Sequence, residues 1–206
     1  MSVQNSDGSY YLPRLDQKRL DCNFGIGGLI DVETTGLSPH TDEIIEFAMV
    51  LFAFERSNSR ILGIVDEYIG LREPACRISP GAARVNGISE FELRGKVLDE
   101  SKITTMIEKA EFLIAHNATF DKSFVCKLFR FASGKPWYCS MKGINWYQKG
   151  CQSRSLQNLL QKHNIKVLKA HRADADVQAV LSLLAQNNAD GSCYFTELLQ
   201  SGKGVG

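Results

Sequence analysis

From residue 29 onward the chain breaks into short apolar runs, and the period of each run predicts its element. Leu29 to Glu33 reads as a strand, with Leu29, Asp31 and Glu33 on one face and Ile30 and Val32 on the other. Glu43 to Phe54, EIIEFAMVLFAF, is a longer strand rich in strand formers. Ile64 to Leu71 is a third, entered through a turn at Ser57-Asn58-Ser59. The short connections predict an antiparallel meander. Ser89-Glu90-Phe91-Glu92 fits a capping box, so a short helix is expected to start there, and a second to cover Leu98 to Ala110. Phe112-Leu113-Ile114-Ala115 reads as a buried strand, parallel to the first because a helix crosses over before it. Phe120, Phe124, Leu128 and Phe131 recur at helical spacing until Gly134 and Pro136 stop them. Leu156, Leu159 and Leu160 mark another helix with Ser155 as its cap. Val177, Val180, Leu181 and Leu184 mark a last long one, and Tyr194, Phe195, Leu198 and Leu199 a closing one.

Two stretches lack such a period. Gly25-Ile26-Gly27-Gly28 precedes a strand, whereas a phosphate loop follows one and opens a helix, so a plain connector is expected. In residues 1–24, Tyr10, Tyr11, Leu12, Leu15 and Leu20 are expected to form a short packed arm. The layout read from the chain is thus an N-terminal extension (1–24), a main domain (25–188), and a C-terminal helix with a flexible tail (189–206).

Composition narrows the class. At 206 residues and 44% hydrophobic content the chain can bury a proper core. No apolar run reaches the roughly 18 residues of a membrane span. The opening residues are polar with no apolar signal region, so a cytoplasmic location is expected. None of the six cysteines, Cys22 included, forms a C-x-x-C pair, which predicts free thiols. Net charge is only +1, but its distribution is uneven. Residues 121–172 hold eleven Lys or Arg against one acid, whereas residues 31–120 hold nine against fifteen. Such a bias predicts a positive face suited to a polyanion.

The acids need an explanation. Asp31 and Glu33 lie about 7 Å apart on one face of a strand flanked by Leu, Ile and Val. Like charges near a core are costly unless a cation neutralises them, and hard divalent ions prefer carboxylate oxygens. The alternative is that the strand lies at a sheet end with both acids hydrated. Asp121, in AHNATFD, falls where a helix begins, and a plain N-terminal acid is the rival reading there. In HRADAD, Asp174 is an ordinary first-turn acid, while Asp176 borders the buried stripe begun by Val177. His171 and Asp176 are five apart, so both reach one point only if His171 sits in the loop before the helix.

Three ordered motifs, D-x-E-T-T-G, H-N-A-x-F-D and H-R-A-x-x-D, resemble those of the DEDDh (DnaQ-like) 3′–5′ exonucleases, the group related to the proofreading epsilon subunit of DNA polymerase III and to RNase T. The likeness covers residues 28–186 and extends to Ile44-Ile45-Glu46, Asn86-Gly87-Ile88-Ser89 and Ser155-Leu156. Asn86 stands where the family usually has His, which bears on local substrate contacts. E-T-T-G departs from the E-M-T-G spelling of the oligoribonuclease branch.

The resemblance implies an α/β, RNase H-like fold: a mixed five-stranded sheet with helices on both faces. It implies that Asp31, Glu33, Asp121 and Asp176 hold two divalent cations, Mg²⁺ or Mn²⁺, with His171 as general base. Thr34, Thr35 and Leu37 are then expected to meet the terminal nucleotide, with His116, Asn117 and Phe120 lining the pocket. Arg154, Lys166, Lys169 and Arg172 are candidates for the strand backbone, because phosphate contacts supply most non-specific affinity. Trp137, Tyr138, Trp146 and Tyr147 lie among these basic residues and either stack on bases or pack.

The expected activity is removal of nucleoside 5′-monophosphates from the 3′ end of single-stranded DNA or frayed duplex. Two other readings stand beside it: an exoribonuclease trimming RNA ends, and a catalytically silent exonuclease fold that only binds nucleic acid. Retention of all five catalytic residue types speaks against the silent module. No membrane partner is expected, and no polymerase- or clamp-binding motif follows the last long helix.

Overall fold

The computed structural model describes residues 3–4, 10–16, 23–166, 172–188 and 191–202. Its centre is a sheet of β1 (Phe24–Thr34), β2 (Ile44–Glu55), β3 (Ile61–Leu71), β4 (Phe112–Ala115) and β5 (Trp137–Cys139). Across the sheet the order is β3-β2-β1-β4-β5. The first three strands form the expected antiparallel meander, and β4 joins β1 in parallel, as the crossover required. The unanticipated β5 pairs parallel to β4 and is only three residues long.

The strand alternation sorts the layers. Leu29 on β1 and Ala48, Val50 and Phe52 on β2 pack under α6 (Leu156–Lys162), α7 (Ala173–Leu184) and α8 (Tyr194–Gln200). Ile30, Val32, Phe47, Met49 and Leu51 pack under α3 (Glu100–Lys109) and α4 (Ala118–Leu128). Both faces of β1 and β2 are therefore covered, which is why β2 reads as a nearly unbroken apolar run.

Several expectations need correction. Gly25 to Gly28 is not a connector but the first half of β1. A Cβ on Gly25 would come within 2.1 Å of the Phe54 ring, and one on Gly27 within 2.4 Å of the Phe52 ring. The glycines thus let β2's phenylalanines lie across the sheet, a recognised use of glycine inside a strand. The stripe of α4 ends at Leu128: a 3₁₀ turn, Arg130–Gly134, follows, and Phe131 is exposed. A helix not anticipated, α1 (Pro80–Asn86), has plain local signals. Ser79 Oγ accepts from the Ala82 N–H at 3.2 Å, Pro80 opens the helix, and Gly87 closes it at φ 67°. The Ser89 capping box is formed, opening α2 (Glu90–Leu93).

Of the expected arm, Leu12 packs into the core; the side chains of Tyr10 and Tyr11, and residues Leu20 and Cys22, lie outside what is described. Leu12 is buried, the Leu15 N–H donates to the Ile64 carbonyl at 2.7 Å, and the Ile64 N–H donates to the Pro13 carbonyl at 2.8 Å. This segment therefore covers the outer edge of β3, which would otherwise offer unpaired backbone groups. Among the described residues, Cys76, Cys126, Cys139, Cys151 and Cys193 are free thiols, and no helix is long and apolar enough to cross a membrane.

Candidate active site

Four carboxylates from three elements converge at one end of the sheet. Asp31 and Glu33 project from β1 toward the α7 layer, and Asp176 enters from the first turn of α7. One oxygen from each of these three lies within 4.8 Å of the others. Asp121, buried in the first turn of α4, accepts a hydrogen bond from the Val32 N–H at 3.3 Å, which binds it to β1 between the two acids. The four line a cleft of about 300 Å³ shared with His116, Asn117, Phe120 and Ser155 to Gln157.

The electrostatics of the cluster are unfavourable without a cation. Burial, then the charges of Asp121, Glu33, Asp176 and Glu46, push the Asp31 carboxyl well above its usual range. Burial, Asp176, Glu46 and Asp121 raise Glu33 to about 8, with Arg172 opposing. Burial raises Asp121 to about 7, against hydrogen bonds from its own backbone N–H and that of Val32. An all-carboxylate donor set that resists ionisation until positive charge arrives fits hard divalent ions such as Mg²⁺ or Mn²⁺.

Glu46 is a functional residue that the sequence did not assign a role. It lies on β2 opposite Glu33, fully buried. It accepts from Arg172 Nε at 3.0 Å and Nη2 at 2.7 Å, and from the Ala173 N–H at 2.9 Å. Glu46 therefore pins the start of α7, and Asp176 follows one turn later, its N–H donating to the Arg172 carbonyl. An acid inside an apolar strand was the available signal, since a buried charge demands a partner. Arg172, expected at the substrate backbone, donates through Nε and Nη2 to Glu46.

The other expected contacts divide. His116 and Phe120 line the cleft, and Phe120 also packs on Phe124 with ring centroids 5.0 Å apart. Both nitrogens of His116 are engaged, Nδ1 with Ser140 Oγ and Nε2 with the Arg154 carbonyl, each at 2.9 Å. The carbonyl can only accept, so Nε2 carries the proton, and burial lowers the ring's pKa. His116 is thus a neutral wall of the cleft with no free nitrogen for a base.

Thr34 and Thr35 are buried and spend their hydroxyls in the turn. Thr34 Oγ1 donates to the Gly36 carbonyl at 2.6 Å, and Thr35 Oγ1 accepts from the Glu43 N–H at 3.0 Å. Leu37 is 85% exposed at the end of the turn that follows β1. Asn86 is buried, donates to the Thr34 carbonyl at 3.4 Å and accepts from the Ile88 N–H, so it ties the end of α1 to the exit of β1. Trp137 and Trp146 are core, their indole N–H groups bonded to the Ala132 and Ser140 carbonyls. His171 and Lys169 lie outside the described residues.

Comparison with known proteins identifies the family of the chain. A sequence model of the RNase T family, described as exonuclease, matches residues 29–184. The DNA polymerase III epsilon subunit of Treponema pallidum is 30% identical over 167 residues, covering 74% of this chain and 72% of that protein. A PolC-type DNA polymerase III of Thermotoga maritima is 32% identical over 164 residues, 75% of this chain but 11% of the polymerase. The chain thus spans only a small part of such polymerases. A solved structure of exonuclease X in complex with 5′ overhanging duplex DNA superposes with a TM-score of 0.60 at 26% identity, over 82% of this chain and 98% of that one. The five-stranded mixed sheet with helices is the RNase H-like fold of these neighbours, and the chain belongs to the RNase T exonuclease family of DnaQ-like nucleases.

Proposed function

We propose that the protein is a metal-dependent 3′–5′ exonuclease that removes nucleoside 5′-monophosphates from the 3′ end of single-stranded DNA or frayed duplex. The observation that carries this reading is the gathering of Asp31, Glu33, Asp121 and Asp176 at the mouth of one cleft. Likeness to an epsilon subunit and to an exonuclease solved with overhanging duplex DNA supports DNA as substrate.

In this reading the four carboxylates hold two divalent cations, Mg²⁺ or Mn²⁺, which when bound activate water and offset charge on the phosphoryl oxygens. Asp31 and Glu33 are held because β1 pairs with β2 at both residues, opposite Ala48 and Glu46. Asp176 is set by the Glu46–Arg172 pair, and Asp121 by the Val32 N–H. Phe120 and Leu156 give the cleft an apolar wall against the terminal nucleotide, and the exposed Leu37 is the side chain proposed to wedge against its base. His171, immediately before the start of α7, takes the proton from the attacking water; an imidazole titrates near working pH. The water oxygen bonds to phosphorus, the bond to the 3′ oxygen of the preceding nucleotide breaks, and that oxygen takes up a proton. A nucleoside 5′-monophosphate and a new 3′-hydroxyl result.

Trimming of RNA 3′ ends by the same chemistry is a second reading, favoured by the match to the RNase T family. A single assay separates the readings. Single- and double-stranded DNA and RNA, labelled at the 5′ end, are incubated with Mg²⁺, Mn²⁺ or EDTA. A metal-dependent ladder shortening stepwise from the 3′ end is expected, with DNA consumed faster than RNA. Immediate release of labelled mononucleotide, or internal cuts, would overturn the direction of attack; binding without cleavage under every metal would leave the silent module.

A further inference from the structure

Beside the catalytic cleft lies a second hollow of about 390 Å³, lined by Lys142, Asn145, Tyr147, Arg154, Glu197 and Gln200 among others. The wall between the two is residues 154–157. Ser155, Leu156 and Gln157 face the cleft, and the Arg154 carbonyl accepts the His116 Nε2 proton on the cleft side. The Arg154 side chain, by contrast, belongs to the second hollow, where its guanidinium sits over the Tyr147 ring, 5.3 Å from the centroid. Tyr147 is 56% exposed, yet its backbone is anchored. It follows the fully buried Trp146, whose carbonyl accepts from the Lys149 and Cys151 N–H groups. Among the described residues that line the hollow the one acid, Glu197, is paired with Lys149 at 2.6 Å, so Lys142 and Arg154 leave this lining positive.

An exposed, rigidly mounted aromatic ring beside two cations suits a single strand of nucleic acid, whose bases stack and whose phosphates need positive charge. We infer that Tyr147 and Arg154 form a stacking station for a base upstream of the terminal nucleotide, so that the strand runs from this hollow along residues 154–157 into the cleft. The inference rests on the exonuclease reading for the direction of the strand. It adds a substrate contact outside the cleft.

The test uses 5′-fluorescein oligodeoxynucleotides of increasing length, from dinucleotide to decamer, with wild type, Tyr147→Ala, Tyr147→Phe and Arg154→Ala. Equilibrium binding is read by anisotropy in EDTA, and KM and kcat in Mg²⁺. Tyr147→Ala is expected to weaken binding of decamers about tenfold, within the range of one lost base–aromatic stack. The loss should be absent for dinucleotides and set in above a threshold length. Tyr147→Phe, which keeps the ring, should bind like wild type, and Arg154→Ala should flatten the salt dependence of decamer binding. The station is overturned if Tyr147→Ala weakens all lengths alike, or none, or if Tyr147→Phe behaves like Tyr147→Ala. Absence of hydrolysis by the wild type would count against the exonuclease reading alone, because the anisotropy series reads the station without catalysis.

Discussion

Glu33 and Glu46 are register partners on neighbouring strands and face the same helical layer, yet they differ in what neutralises them. Glu46 has its cation built in: Arg172 and the Ala173 N–H saturate its carboxylate, and it is fully buried. Glu33 and Asp31 meet other carboxylates instead, and among the described residues no Lys or Arg forms an ion pair with either. A buried acid that brings its own partner builds structure. One whose nearest charged neighbours are acids is built for something supplied from outside. The two sites should therefore respond in opposite ways to removal of charge.

The largest effect is expected at Asp31. Asp31→Asn keeps the shape but removes a charge that its neighbours repel. Turnover should fall at least about a thousandfold, as for a member of a catalytic unit, while the metal-free protein becomes more heat-stable than wild type. Full activity in this variant, measured on the 5′-labelled strand, would sink the assignment of the site; a lower melting temperature in EDTA would sink the account of its electrostatics.

His171→Ala comes next. Loss of a general base costs about 10²- to 10⁴-fold in kcat, whereas binding of a single strand in EDTA should stay within about twofold of wild type. The acidic limb of the pH–kcat profile should flatten with it. An unchanged profile would move the proton transfer to another group, and His116 is a poor substitute because both its nitrogens are engaged.

Glu46 supplies the converse of Asp31. Glu46→Ala strands the Arg172 charge and frees the start of α7, so stability should fall by about 3 kcal/mol, the lower part of the range for breaking a buried pair. Turnover should drop with it, by about tenfold, because Asp176 is held through that helix start. The double variant Glu46→Met, Arg172→Met leaves no orphaned charge and should regain most of the stability. Denaturant melts of the wild type, Glu46→Met, Arg172→Met and the double variant give the coupling between the two residues. If Glu46→Ala stabilises the protein as Asp31→Asn does, the contrast between the sites is wrong.

This contrast also marks what a reader of the sequence can see. Asp31, Glu33, Asp121 and Asp176 stood out because each sits in a short motif whose period places it on a strand or helix start. The meander, β4, α4 and α7 were equally open, since their apolar periods run over several turns or alternations. Glu46 was visible as an acid in an apolar strand, but its partner Arg172 lies 126 residues away, and pairing over that distance leaves no local trace. Gly25 to Gly28 misled because the Phe52 and Phe54 rings that require glycine there are on another strand. The three-residue β5 and the four-residue helix α5 (Ser140–Gly143) are too short to carry a period. Thr34 and Thr35 can be read as ligand contacts or turn residues, and the turn partners of their hydroxyls, the Gly36 carbonyl and the Glu43 N–H, emerge only in the folded chain.

The smallest effect is also the most direct measure of the unfavourable charge. Burial and neighbouring acids raise Glu33 from 4.5 to about 8, and burial raises Asp121 from 3.8 to about 7. With folded-state values raised, the folded chain binds more protons than the unfolded chain between these limits. The contribution of these groups to stability is therefore fullest below about pH 4, and it is lost as pH rises through about 7 and about 8. In EDTA the melting temperature should decline over that window. Saturating Mg²⁺ binds only the ionised carboxylates, so it should raise the melting temperature by several degrees at pH 8 and by little at pH 5. Glu33→Gln removes one of the raised groups and should make the decline in EDTA shallower. A melting temperature that is flat from pH 5 to 8 in EDTA, or a Mg²⁺ effect of equal size at both ends, would mean that the four acids are hydrated individually and do not share one cation-demanding site.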